Sequence, residues 1–171
     1  MDKVKGVTST VLGFAGGTTP NPTYRSHKGY TEAVKVEFDP KIITYEQLTA
    51  HFLRTIDVVD GEGQFCDRGE SYIPALFPLD PRQRKSASLL LDQAAKDLGE
   101  SVAVKLGSNP SFYPAEDYHQ DYYQSGDRIL TRFGLIAKSD AYKRYRKACG
   151  RDARVKKLWG EAAFSFPAAG M

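Results

Sequence analysis

The chain has 171 residues, 41% of them apolar, with a formal net charge of +3. This is enough for one domain with a sizeable core and an extra terminal element. The charge is too small to argue for nucleic acid on its own, and no apolar run approaches the ~20 residues that cross a bilayer. The opening MDKVKGVTST has no basic segment followed by an apolar stretch, which predicts a cytoplasmic protein without a signal peptide. With two cysteines, Cys66 and Cys149, the sequence is no disulfide scaffold. The pair is either a redox couple or two small buried side chains.

In chain order, residues 1–6 read as a turn or the tail of a helix. VTSTVLGF (7–14) is β-branched and alternating and predicts a strand, stopped by Gly16-Gly17 and the TTPNP loop. AVKVEF (33–38) predicts a second strand, with Val34, Val36 and Phe38 on the core face and Lys35 and Glu37 on the wet one. Thr44 with Gln47 forms a capping box, and Leu48, Phe52 and Ile56 mark an amphipathic helix over 45–56. Residues 57–72 predict a long loop. IPALFPL (73–79) predicts a short strand, and Asp80-Pro81 starts a helix. The buried stripe of that helix is Ala87, Leu90, Leu91, Ala94 and Leu98, and Gly99 ends it. VAVKL (102–106) predicts a further strand. The tail from about 139 to 160 is basic and helical, with Val155, Leu158 and Trp159 as its docking face.

Several stretches together resemble the A-type peptide methionine sulfoxide reductases. They are GFAGGTTPNPTY (13–24), GYTEAVKVEFDP (29–40), GQFCDRGESYIPALFPL (63–79) and FYPAEDYHQDYY (112–123), and the similarity runs from about residue 6 to 123. ACGRDARVKKLWG (148–160) is similar to the C-terminal extension of one subgroup. The resemblance implies an α/β fold: a two-layer split βαβ (ferredoxin-like) domain over 1–135, with a basic helical extension over 136–171. The first strand and the start of the first helix are not found in the sequence.

The implied activity is reduction of methionine-S-sulfoxide, free or in oxidised proteins, to methionine. In the family a cysteine thiolate attacks the sulfoxide sulfur while a protonated glutamate donates to its oxygen. The resulting sulfenic acid becomes a disulfide, and thioredoxin, or dithiothreitol in vitro, regenerates the thiols. No bound cofactor, metal, nucleic acid or membrane is implied, and a monomer is expected. A proton donor for this reaction must be neutral near pH 7, which requires a carboxyl group raised by an apolar setting. Glu32 matches that acid, Tyr24 and Tyr72 the two tyrosines that bond the sulfoxide oxygen, and Asp67 the loop aspartate. As bare residues, Glu32 reads rather as a solvated charge at a strand start, the tyrosines as packing residues and Asp67 as a turn residue; the resemblance is what singles them out.

The family's nucleophile lies in a Gly-Cys-Phe-Trp motif at the first strand-to-helix junction. No Cys-Phe-Trp occurs in the sequence, and its one tryptophan is Trp159. Residues 2–7 correspond to the end of that first helix, so the chain is expected to be N-terminally shortened and to have little or no activity. It could then act as a sulfoxide-binding module or be a poorly folding remnant. Cys66, beside Asp67 and near Glu70, is a poor substitute because neighbouring carboxylates raise a thiol pKa. Cys149, in a tail expected to be mobile, and Cys66 are the candidate resolving cysteines. His27, His51 and His119 show no metal-ligand spacing, and His119 is expected to make structural hydrogen bonds. KRYRKACGRDARVKK (143–157) holds eight Lys or Arg against one Asp. This reads as a solvated basic face, with nucleic acid as the alternative.

Overall fold

A computed structural model of the chain describes residues 1–108 and 111–167. Two long strands come first, β1 (Val7–Ala15) and β2 (Thr31–Phe38), followed by helix α1 (Tyr45–Leu53). A small hairpin, β3 (Gly63–Gln64) and β4 (Asp67–Arg68), leads through a single 3-10 turn (Glu70–Tyr72) to β5 (Ala75–Leu76). Next come α2 (Pro81–Leu98), β6 (Lys105–Leu106) and β7 (Phe112–Pro114). A second hairpin, β8 (Arg128–Thr131) and β9 (Gly134–Ala137), runs into α3 (Lys138–Ala148) and α4 (Arg151–Trp159). No helix among the described residues is long and apolar enough to cross a membrane.

The main sheet is antiparallel, in the order β2-β1-β7, and β5 pairs in parallel with β6 as a separate unit. The fold is therefore mixed α/β with several small sheets. The edge of β1 is extended by a side chain. The Leu12 N–H donates to Gln120 Oε1 at 2.9 Å, and Gln120 Nε2 donates back to the Leu12 carbonyl at 2.9 Å. A primary amide carries one acceptor and a donor pair, so it can mimic a strand neighbour at a single residue.

Both helix starts form as the sequence predicts. Thr44 and Gln47 make a reciprocal capping box. Asp80 accepts from the Gln83 N–H, and Gly99 closes α2 in the left-handed region at φ 69°. Other expectations are corrected. Helix α1 stops at Leu53, where the Thr55 hydroxyl donates to the Phe52 carbonyl and competes with the next turn. Ile56 therefore lies beyond the helix. The strand expected over 73–79 shrinks to two residues between Pro74 and Pro78, which have no N–H to give a ladder. That expected over 102–106 also shrinks, because Ala103 N–H bonds the Val58 carbonyl of a loop rather than a strand. Val34, expected on the core face, is half exposed. The loop at 57–72 contains the β3–β4 hairpin, while β7, β8 and β9 were not foreseen.

The tail is docked rather than mobile. It breaks into two helices at Cys149-Gly150, with Gly150 left-handed at φ 62°. Val155 is fully buried, and Trp159 packs on the cluster of Leu53, Val58, Leu91, Ala94 and Val104. Arg154 donates to the buried Asp57 carboxylate through Nε at 2.6 Å and a terminal nitrogen at 3.3 Å. Lys138, itself buried, donates to the Tyr118 carbonyl and to Asp127. The position between residues 135 and 136 falls inside β9, and residues 168–171 of the extension lie outside the described residues.

Removing Arg154 strands a buried carboxylate, which costs about 3 kcal/mol in comparable pairs. Arg154→Ala should lower the urea midpoint accordingly, and pairing Arg154→Met with Asp57→Asn should restore most of the loss.

Candidate functional site

The β1–β2 register places Glu32 directly opposite Phe14, which is fully buried. Phe14 belongs to a second core cluster with Tyr30 and Ala115, against which Tyr24 packs. The Phe14 ring stacks on His27 and meets Tyr24 edge-on, each at 5.1 Å between centroids. Tyr24 in turn lies against the His119 ring at 3.8 Å. Gly17 makes room for this layer: a Cβ there would lie 2.3 Å from the Tyr30 ring. The TTPNP loop is held by the Tyr30 hydroxyl, which donates to the Thr19 carbonyl.

Glu32 is thus a carboxyl group at the edge of an aromatic cluster. Its Oε1 is buried and has no hydrogen-bond partner. His27 Nε2 stands 3.9 Å away, while His27 Nδ1 donates to the Thr23 carbonyl at 3.0 Å. Burial pushes the Glu32 carboxyl above the usual carboxylate range. The His27 charge and a hydrogen bond from Tyr72 pull it down, Asp67 pushes it up, and burial prevails. Tyr24 and Tyr72 are both raised above the usual phenol value, first by burial and then by the charge of Glu32, so both hydroxyls stay protonated donors.

Glu32, Tyr24, Tyr72, Asp67, Cys66 and Cys149 all line one cleft of about 530 Å³. The structure brings together every candidate residue singled out in the sequence. Asp67 is presented by the β3–β4 hairpin, whose two strands meet closely because Gly63 has no Cβ; one would lie 2.3 Å from the Asp67 carbonyl oxygen. Cys66, in the turn of that hairpin, is bonded to Cys149, 83 residues away, with 5.4 Å between their Cα atoms. The two cysteines of the chain therefore join each other and tie the hairpin to the break between α3 and α4.

Sequence reasoning missed the remaining lining of the cleft: Phe65, Tyr122, Arg132, Tyr142, Tyr145, Arg146 and Arg151. One signal was available: Tyr142, Tyr145, Arg146 and Cys149 recur at i, i+3, i+4 and i+7, which puts them on one helical face. The proximity of His27 to Glu32 was also missed. His119 does not make the side-chain hydrogen bonds expected of it: its Nε2 is buried without a partner, and burial lowers its pKa. Its ring instead packs on Tyr24 and Tyr118. Among the described residues no group of three His, Cys, Asp or Glu is placed to hold a metal.

A family model described as peptide methionine sulfoxide reductase matches residues 1–161. The chain belongs to this family. A peptide methionine sulfoxide reductase MsrA 2 of Rhizobium meliloti (strain 1021) is 40% identical over 166 residues, covering 96% of this chain and 78% of that protein. Among solved structures, methionine sulfoxide reductase A of Corynebacterium diphtheriae aligns at TM-score 0.61 and 34% identity. That alignment covers 68% of this chain and 63% of the other. Mxr1 of Saccharomyces cerevisiae in its reduced form aligns at TM-score 0.63 and 26% identity, covering 68% and 70%. Peptide methionine sulfoxide reductases are oxidoreductases, so a carboxyl group of raised pKa, two phenols and a pair of cysteines in one cleft is an arrangement that suits the family.

A raised carboxyl in the folded state contributes stability that is fully present below its unfolded pKa, near ~4.3. That contribution is lost as pH rises through the folded value. Glu32→Gln should therefore gain in melting temperature relative to the parent as pH rises from 4 towards 8, and a flat difference would contradict it. Opening the disulfide frees a loop of 83 residues, worth up to about 4–5 kcal/mol in the chain-entropy model. Cys149→Ser should accordingly melt well below the oxidised parent and no longer respond to reductant.

Proposed function

We propose that the cleft binds methionine-S-sulfoxide, free or in oxidised proteins, with Glu32 as proton donor to the sulfoxide oxygen. The observation that carries this reading is the buried Glu32 Oε1, which no hydrogen bond satisfies, on a residue that lines the same cleft as Tyr24 and Tyr72. A sulfoxide oxygen accepts hydrogen bonds and donates none. Three protonated donors therefore suit it, whereas a charged carboxylate would repel it. Asp67 helps keep the acid protonated by its own negative charge. The reaction draws on thiols and needs no bound cofactor. The main sheet and the β5–β6 pair are read as parts of one split βαβ layer.

Reduction also needs a thiolate at the sulfoxide sulfur. The chain has two cysteines, and they are bonded to each other. In our reading Cys149 and Cys66 serve the exchange with thioredoxin, and the chain by itself binds sulfoxide with little or no turnover. A second reading has one observation in its favour, since both sulfurs lie in the cleft of the acid. Once reduced, Cys66 or Cys149 could attack the sulfoxide itself and return to the disulfide with release of water.

Titration of the purified chain with an N-acetylated, C-amidated methionine sulfoxide should show binding that Glu32→Ala weakens; no binding at millimolar concentration would sink the site. In a dithiothreitol-driven assay little or no methionine should appear. Turnover that vanishes in Cys66→Ser would instead establish the second reading.

A further inference from the structure

The cleft is lined by two chemically opposite groups of residues: Glu32, Asp67, Tyr24 and Tyr72, which make its acid side, and Arg132, Arg146 and Arg151, which make its arginine side. Its volume of about 530 Å³ lies in the ~300–1,000 Å³ range of clefts that enclose whole small molecules, more than a sulfoxide group needs.

Arg132 and Arg151 are held in place by rings rather than by acids. Arg132 sits at the tip of the β8–β9 hairpin, where Gly134 is left-handed at φ 94°. Its guanidinium carbon lies 4.8 Å from the Phe133 ring centre and 4.9 Å from that of Tyr145. Arg151, the first residue of α4, lies 4.5 Å over the Phe65 ring. Arg146 differs: it donates to the Tyr142 hydroxyl at 3.0 Å and pairs with Asp152 at 2.6 Å. Among the described residues, neither Arg132 nor Arg151 forms an ion pair. Ring stacking fixes a guanidinium plane but leaves its N–H edge unsatisfied. The influences that shift Glu32 are burial, His27, Tyr72 and Asp67, with no arginine named among them.

We infer that the arginine side of the cleft takes a carboxylate next to the methionine sulfoxide. The favoured ligand is then a methionine sulfoxide with an acidic neighbour, an inference that rests on the sulfoxide reading of the acid side. Guanidinium and carboxylate match in planar, two-bonded geometry. The carboxylate has two sources, the α-carboxylate of a free or C-terminal methionine sulfoxide and the side chain of an adjacent Asp or Glu. A nucleic acid fits less well, since its phosphates would meet Glu32 and Asp67 across the same cleft.

The test is titration calorimetry on the oxidised chain at low salt with three probes: an N-acetyl methionine sulfoxide amide, the same compound with a free C-terminal carboxylate, and an amidated methionine sulfoxide–aspartate dipeptide. One or both carboxylate probes should bind about tenfold tighter than the neutral one, the worth of one charge-assisted hydrogen bond, and whichever is tighter identifies the source. Added salt should shrink that gain. Arg132→Gln with Arg151→Gln should bring the carboxylate probes down to the affinity of the neutral one, while Arg132→Lys with Arg151→Lys retains most of the gain. Equal binding of all three probes overturns the inference and leaves the sulfoxide site standing. Failure of every probe takes both down, and a short single-stranded oligonucleotide that outcompetes the carboxylate probes overturns the choice of ligand.

Discussion

Burial of one carboxyl group beside an aromatic cluster is the constraint on which this cleft depends. Glu32 faces Phe14 across the first strand pair, and that position is fixed by a register that pairs β1 and β2 from Val7 to Ala15. A shift of one residue would turn Glu32 to the other face of the sheet and put Thr31 or Ala33 in its place. The burial that raises the Glu32 pKa is thus a property of strand pairing, and His27, Tyr72 and Asp67 act on a position that the sheet has already set.

The second organising element is the tail. A charged pair, Arg154 with Asp57, and a covalent bond, Cys149 with Cys66, anchor it to the segment between α1 and β5. The ion pair is buried on its acidic side and the disulfide lies in the cleft, so the two do different work. The ion pair fixes α4 to the core that holds Trp159. The disulfide aligns the α3 face bearing Tyr142, Tyr145 and Arg146 with the hairpin that carries Asp67. The cleft thus combines residues of the motif blocks, Tyr24, Glu32, Asp67 and Tyr72 among them, with Arg132 of the β8–β9 hairpin and residues of α3 and α4.

What could be read from the sequence follows from how local each signal is. Helix caps are local, and Thr44, Gln47, Asp80 and Gly99 were all placed correctly. Motif residues were also legible, and Glu32, Tyr24, Asp67 and Tyr72 do converge. Elements whose limits depend on distant backbone were misjudged. Val102–Val104 has strand composition, yet the Ala103 N–H meets a loop carbonyl at Val58. The docking of the tail through Val155 and Trp159 was legible, but the segment around Cys149 looked mobile because nothing in its composition names Asp57 as a partner or decides that Cys149 bonds Cys66. The arginine wall was hidden for the same reason, since Arg132, Arg146 and Arg151 come from a hairpin tip and two helices that only tertiary packing brings together.

The amide of Gln120, which completes the edge of β1, ties residues 108 positions apart; the ion pair spans 97 and the disulfide 83. Closing such long loops costs little more free energy than closing shorter ones, because the entropy grows only with the logarithm of length. Time is another matter, since contacts this remote in sequence slow the search for the native arrangement. On a ribosome, the strand pair carrying the acid emerges well before the helices that wall its cleft. The cleft is consequently finished late, and its shape records whether the end of the chain has come home.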